Sequence, residues 1–113
     1  MKTPIDIRNL QKVSVQQLDN KNQFVVNYSY KDKDTNEFER VVCFQSYRTL
    51  IAIYYPYKNR LYINLHYWDY SKTTSKHLKI FINEYTSFNY ENRLQWLKEV
   101  ENNNNLCWFV DND

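Results

Sequence analysis

The stretch Tyr67-Trp68-Asp69-Tyr70-Ser71-Lys72-Thr73-Thr74-Ser75-Lys76-His77-Leu78-Lys79-Ile80-Phe81-Ile82 changes hydrophobic period as it is read. Before it apolar residues alternate, whereas from Leu78 onward Leu78, Phe81, Ile82 and Tyr85 recur at helical spacing, so a strand hands over to a helix here. At 100° per residue that apolar set forms a stripe of roughly 100°, wide enough to seat a helix on a sheet. Lys72, Lys76, Lys79 and Asn83 fall on the opposite side. Ser71 has the chemistry of an N-cap, its hydroxyl accepting from an unpaired amide of the first turn. Lys72 and Lys76 then stand near the positive end of the helix dipole, which disfavours each by about 0.3–1 kcal/mol. Two readings follow for these lysines: a solvated face, or an anion-facing surface kept for a partner.

Working backward, Thr49 to Tyr55 and Leu61 to Tyr67 read as a hairpin across Pro56-Tyr57-Lys58-Asn59-Arg60, with Asn59 as the left-handed residue of the turn. Symmetric pairing sets Ile51, Ile53 and Tyr55 against Leu65, Ile63 and Leu61 as one apolar face. The reverse face then carries Leu50, Ala52 and Tyr54 opposite His66, Asn64 and Tyr62, with Trp68 next. That face is expected to be an exposed aromatic platform. An earlier hairpin joins Gln23–Tyr30 to Glu37–Phe44 around a 31–36 loop rich in turn formers. Its expected pairs are Phe24 with Cys43 and Val26 with Val41 on the core side, and Val25 with Val42 and Asn27 with Arg40 on the other. Val13 to Leu18 makes a short first strand closed by Asp19-Asn20-Lys21-Asn22. Residues 1–12 are expected to be mostly irregular, anchored by Ile5, Ile7 and Leu10.

Working forward, Tyr90 to about Glu101 is a second amphipathic helix with Tyr90, Leu94, Leu97 and Val100 inward and Trp96 on the flank. Asn102 to Asn105 stops it, because asparagine side chains compete for backbone hydrogen bonds in turn conformations. Leu106-Cys107-Trp108-Phe109-Val110 is too apolar for a tail and is read as a last strand, with Asp111-Asn112-Asp113 keeping the end in water. The expectation is a single α+β domain over residues 1–113. It has an antiparallel sheet of four to six strands, with helices at about 71–85 and 90–101 packed on one face.

Composition bounds the function. With 113 residues the chain can bury a core without staples. A net charge of +2 gives no bulk attraction to nucleic acid or membrane. Two cysteines without a CxxC spacing and an N-terminus without an apolar run point to a reduced, cytosolic protein. No apolar run approaches the ~20 residues of a transmembrane helix. Glycine is absent, where average usage of about 7% would give roughly eight. Phosphate-cradling P-loops and dinucleotide fingerprints are therefore excluded, and left-handed turn positions must fall to Asn or Asp.

Catalysis finds little support. His66 and His77 are the only histidines, one on a strand and one on a helix flank, and no Cys, His or Asp spacing matches a metal site. Cys43 reads as a small buried hydrophobe. No catalytic residue, cofactor or metal is expected. Binding is better supported: Tyr54, Tyr62, His66, Trp68 and Tyr70 supply an aromatic surface, and the Lys72, Lys76, Lys79 ridge begins beside it. Stacking surfaces beside positive charge suit single-stranded nucleic acid, and Tyr- and Trp-rich patches suit protein partners.

The segments Ser46-Tyr47-Arg48-Thr49-Leu50-Ile51-Ala52, Leu61-Tyr62-Ile63-Asn64 and Trp68-Asp69-Tyr70-Ser71-Lys72-Thr73-Thr74-Ser75-Lys76-His77 together resemble a family of small phage and prophage proteins of uncharacterised function. The shared pattern runs SY-x-T-x-I/V-A, L/V-Y-L/I-N and Y-S-x-T-T-x-K/R-H/Y, and covers residues 46 to about 82. The resemblance supplies no catalytic residues. It implies a phage-derived accessory protein that binds and modulates a host macromolecule in the host cytosol, such as a nuclease or a CRISPR or other defence effector. The alternative is a small single-strand nucleic-acid binder. The hairpin register, extended, sets Tyr47 opposite Asp69 and Ser46 opposite Tyr70. The motif halves should thus meet beside the helix N-terminus, either as a structural corner or as a binding site.

Overall fold

A computed structural model describes residues 10–18 and 21–110. The expectations placed on Ile5, Ile7, the Asp19-Asn20 turn and the acidic 111–113 end lie outside the described residues. The chain order is β1 (Gln11–Gln17), β2 (Gln23–Lys31), β3 (Phe38–Ser46), β4 (Thr49–Tyr55), β5 (Arg60–Asn64), α1 (Lys72–Tyr85), α2 (Arg93–Asn102) and β6 (Leu106–Phe109). The six strands form one sheet in sequential order, β1-β2-β3-β4-β5-β6. The first five make an antiparallel meander, and β6 lies parallel to β5. A parallel neighbour requires a long crossover, and the α1–α2 pair supplies it. The fold is α+β.

Ser71 caps α1 as its chemistry suggests, its Oγ accepting from Thr74 N at 3.1 Å. The helix ends where the Thr86 hydroxyl and amide both donate to Ile82 O, at 2.7 and 3.3 Å. Leu78, Phe81 and Ile82 are buried with Thr74 and His77, and Phe81 stacks on Phe44 of β3 at 5.8 Å. The second helix departs from expectation. Asn92 is its N-cap, accepting from Gln95 N at 3.0 Å, so the helix begins three residues after Tyr90. Its phase rotates accordingly: Trp96 and Val100 point inward while Leu94 is 65% exposed. Tyr90 remains inward from the loop, its amide and carbonyl held by the Asn83 side chain at 2.8 and 2.9 Å and its ring stacked on Trp96 at 5.2 Å.

The sheet is apolar on both faces. One face, with Val25, Val42, Phe44, Ala52, Leu61 and Ile63, packs against the helices. The other gathers Val26, Tyr28, Val41, Cys43, Ile53, Tyr55, Tyr62 and Phe109. A bulge in β4 joins them: Phe44 pairs with Ala52 and Gln45 with Leu50, so Ile51 is the extra residue and enters the helix-side core with Ala52.

The expected registers are both shifted. In the first hairpin Val26 faces Cys43 and Tyr28 faces Val41, a slip of two residues that keeps the same residues together on each face, although the helices cover the Val25–Val42 face and not the Val26–Cys43 face expected as the core side. Asp32 explains the slip. Its carboxylate accepts from Asp34 N and Thr35 N at 2.8 and 3.2 Å, which holds it below the usual carboxylate range and starts the loop one residue later. In the second hairpin Tyr55 pairs with Arg60 and Ile53 with Tyr62, a slip of one, which exchanges the faces of one strand relative to the other. Asn59, at φ 49°, completes the turn by itself, and Arg60 belongs to the strand.

Trp96→Ala should cost about 3–5 kcal/mol in denaturant unfolding, as a large core truncation does. Leu94→Ala, placed inward by sequence periodicity, should change stability by no more than about 0.5 kcal/mol, as an exposed substitution does.

Candidate functional site

The one-residue register shift dismantles the expected aromatic platform. Tyr54 lies on the helix-facing side, 6% exposed, with its hydroxyl donating to Asn59 Oδ1 at 2.8 Å and its ring edge-on to Phe88 at 6.3 Å. Tyr62 lies on the opposite face, 5% exposed, against Tyr55 at 5.7 Å. Trp68 is 4% exposed. It packs on Trp108 at 5.8 Å, and the Arg93 guanidinium covers it at 4.9 Å while pairing with Asp69. These three residues hold the fold together and present no common surface. His77, expected on a flank, is buried with Nδ1 2.8 Å from Thr73 O.

His66, Tyr70, Lys72, Lys76 and Lys79 are exposed. Lys79 Nζ donates to Glu91 O at 2.7 Å, which ties it to the α1–α2 loop. His66 lies in the turns after β5, whereas Tyr70, Lys72 and Lys76 lie just before or within the first turns of α1, where the motif halves do meet, though not by extension of the hairpin, since β5 stops at Asn64 and residues 65–69 are turns. The meeting is through hydroxyls. Ser71 Oγ donates to Thr74 Oγ1 at 3.0 Å, and Thr74 Oγ1 shares a hydrogen with Ser46 Oγ at 2.9 Å. Asn64 Nδ2 donates to Leu50 O at 2.8 Å while its Oδ1 accepts from His66 N at 3.1 Å. Ser46, Ser71 and Thr74 thus form a polar joint between sheet and helix, while Asn64 ties β4 to the turn after β5.

Flanking that joint is a feature that sequence reasoning passed over. Ser46 pairs with Thr49, leaving a two-residue turn, Tyr47-Arg48, in which Tyr47 has φ 55°. Tight turns of this kind favour glycine or asparagine at left-handed positions, and a bulky side chain there is an outlier. The other positive-φ positions among the described residues are Asn22, Asn36 and Asn59. Tyr47 N donates to Asn22 O at 2.6 Å and its carbonyl accepts from Gln45 Nε2 at 2.8 Å, so the turn is held in place. Its ring is 49% exposed, and Tyr67 and Tyr70, also exposed, meet edge to face at 5.6 Å. The legible signal was the spacing: a strand ending at Ser46 and another starting at Thr49, in a chain without glycine, force a non-glycine into the turn.

The family model that matches this chain is described as a family of unknown function and covers residues 12–99. The chain belongs to the DUF8033 family. The matched segment contains β1 to β5, α1, most of α2 and the whole joint, and leaves β6 outside. No curated protein and no solved structure matches the chain.

Among the described residues no cluster of three or more His, Cys, Asp or Glu could hold a metal ion. Cys43 is buried and its thiol is pushed up by desolvation, which removes the thiolate needed for attack. A concavity of about 560 Å³ opens at the end of β3 remote from Ser46, among Val13, Asn27, Ser29, Phe38, Glu39, Arg40 and Tyr57.

Trp68→Ala should lower unfolding free energy by about 3–5 kcal/mol, as removal of a buried indole does, whereas Lys76→Ala should stay within about 0.5 kcal/mol. Equal, small effects would return Trp68 to the surface.

Proposed function

We propose that this chain is a non-catalytic binding protein, a phage-encoded accessory factor that engages a host protein through the corner formed by Tyr47, Arg48, Tyr67 and Tyr70, with Lys72 and Lys76 at its rim. The observation that carries the reading is Tyr47. A left-handed conformation costs an ordinary residue about 1–2 kcal/mol, and this chain uses asparagine at Asn22, Asn36 and Asn59 for the same backbone requirement. An exposed tyrosine kept where asparagine would be more stable argues for a contact made by its ring; strained residues cluster at functional sites. Tyrosine and arginine are also the residue types that dominate interface energetics.

The phage origin rests on the motif resemblance. Apart from origin, motif residues Ser46, Ser71 and Thr74 build the joint beside which Tyr47 and Tyr70 stand in sequence. A stoichiometric inhibitor of a host nuclease or defence complex, acting in the host cytosol, fits a small domain with an exposed aromatic and cationic corner. No described helix is long and apolar enough to cross a membrane.

A second reading, single-stranded nucleic-acid binding, is favoured by the Tyr67–Tyr70 pair lying just before Lys72 and Lys76, since stacking rings beside cations are how such proteins hold bases and backbone.

The test is a pulldown from host lysate with wild type and Tyr47→Asn, with and without nuclease, followed by titration of the captured partner. The expected result is one host protein retained after nuclease treatment, with Tyr47→Asn weakening binding by at least about 30-fold, the equivalent of a 2 kcal/mol hot spot. Binding that disappears with nuclease and weakens steeply with salt, as released counterions require, would replace this reading with the second. Retention unchanged in Tyr47→Asn would refute the corner.

A further inference from the structure

Beneath the first turns of α1 the sheet carries a polar side chain that the fold has buried without a partner. Gln23 is fully buried, and neither its Nε2 nor its Oε1 makes a hydrogen bond. It begins β2 two residues before Val25, and so shares the helix-facing side of the sheet. Its direct cross-strand partner is Ser46, itself two residues from Phe44 of the same face and fully buried. Directly opposed side chains on one face of an antiparallel pair lie about 5 Å apart at Cβ. The Gln23 amide therefore stands next to the Ser46–Thr74 hydroxyl pair without bonding to it.

The hydroxyls have an unmet requirement of their own. Ser71 donates to Thr74 Oγ1, so the Ser71 hydrogen is used. Ser46 and Thr74 own two hydroxyl hydrogens and share one hydrogen bond, which consumes one of them. Whichever residue donates, one hydrogen remains to be accepted, and the neighbouring Gln23 Oε1 is an acceptor with nothing to accept. Two complementary deficits sit side by side in a fully buried place. Buried polar groups are almost always satisfied by protein or by ordered water, and a buried water typically bridges about three polar atoms.

We infer that Gln23, Ser46 and Thr74 form a binding site for ordered water, one molecule accepting the surplus hydroxyl hydrogen and donating to Gln23 Oε1, so that β2, β3 and the N-terminal turn of α1 are joined through it. The site extends the Ser46–Thr74–Ser71 joint across a further strand. It underlies the contact corner, because Asn22, the residue before Gln23, accepts the Tyr47 amide. The inference stands whether or not that corner binds a partner.

Two measurements on the full chain test it. In wild-type NMR spectra, the Gln23 side-chain amide hydrogens should show cross-relaxation to water with the sign of a long-lived hydration site. In thermal unfolding, Gln23→Met, similar in length but without the amide, should lower the midpoint by stranding the surplus hydroxyl hydrogen. The double variant Gln23→Met with Ser46→Ala should lose less than the sum of the two single losses, because removing both ends of the bridge leaves less unpaired. A water signal with that non-additive pattern supports the site. An absent water signal, or a raised midpoint for Gln23→Met with additive behaviour in the double variant, overturns it, since either means the amide is simply dry and unpaired. The NMR arm needs no variant and decides the matter if Gln23→Met fails to fold.

Discussion

Among the described residues, every reversal of the meander in this glycine-free chain places a non-glycine residue in the left-handed backbone region. Asn22 serves β1–β2, Asn36 serves β2–β3, Tyr47 serves β3–β4 and Asn59 serves β4–β5. Asparagine tolerates this conformation better than most residues because its short side chain can hydrogen-bond locally. The placement of these four residues sets the loop lengths, the loop lengths set the registers, and the registers decide which side chains face the helices. Asn59 alone determines that Arg60 pairs with Tyr55, and from that follows the burial of Tyr54 against Phe88 and of Tyr62 against Tyr55.

Seen this way, what could and could not be read from the residues has a physical pattern. The α1 stripe and its Ser71 cap were legible because cap, period and apolar set agree. The six strands were legible as elements, including the apolar 106–110 segment that became β6. Register was not, because apolar residues occupy both faces of β2 to β5 and alternation then fails to distinguish one pairing from the next. A slip of two in the first hairpin was harmless. A slip of one in the second assembled Tyr54, Tyr62 and Trp68 into a surface that does not exist. In α2 the periodicity of Tyr90, Leu94 and Leu97 was overruled by the Asn92 cap, which starts the helix later and turns Trp96 inward. The buried Gln23 amide had no sequence signal, since its burial depends on α1 docking over the start of β2.

Beside α1 the motif residues divide between a polar joint and exposed rings. Ser46, Ser71 and Thr74 are hydrogen-bonded in a chain at the foot of α1, and the residues next to them in sequence, Tyr47 and Tyr70, are exposed. A rigid polar joint is a good mount for exposed rings, because fixing the backbone beforehand reduces the entropy lost on binding.

Tyr47 is held in a conformation its own backbone disfavours. The unfolding free energies of wild type and Tyr47→Asn, obtained by denaturant titration, test that most directly. Relief of the left-handed penalty should make Tyr47→Asn more stable by about 1 kcal/mol. A variant less stable than wild type would mean that the ring is anchoring the fold, and the case for a tyrosine kept there to make contact would fall.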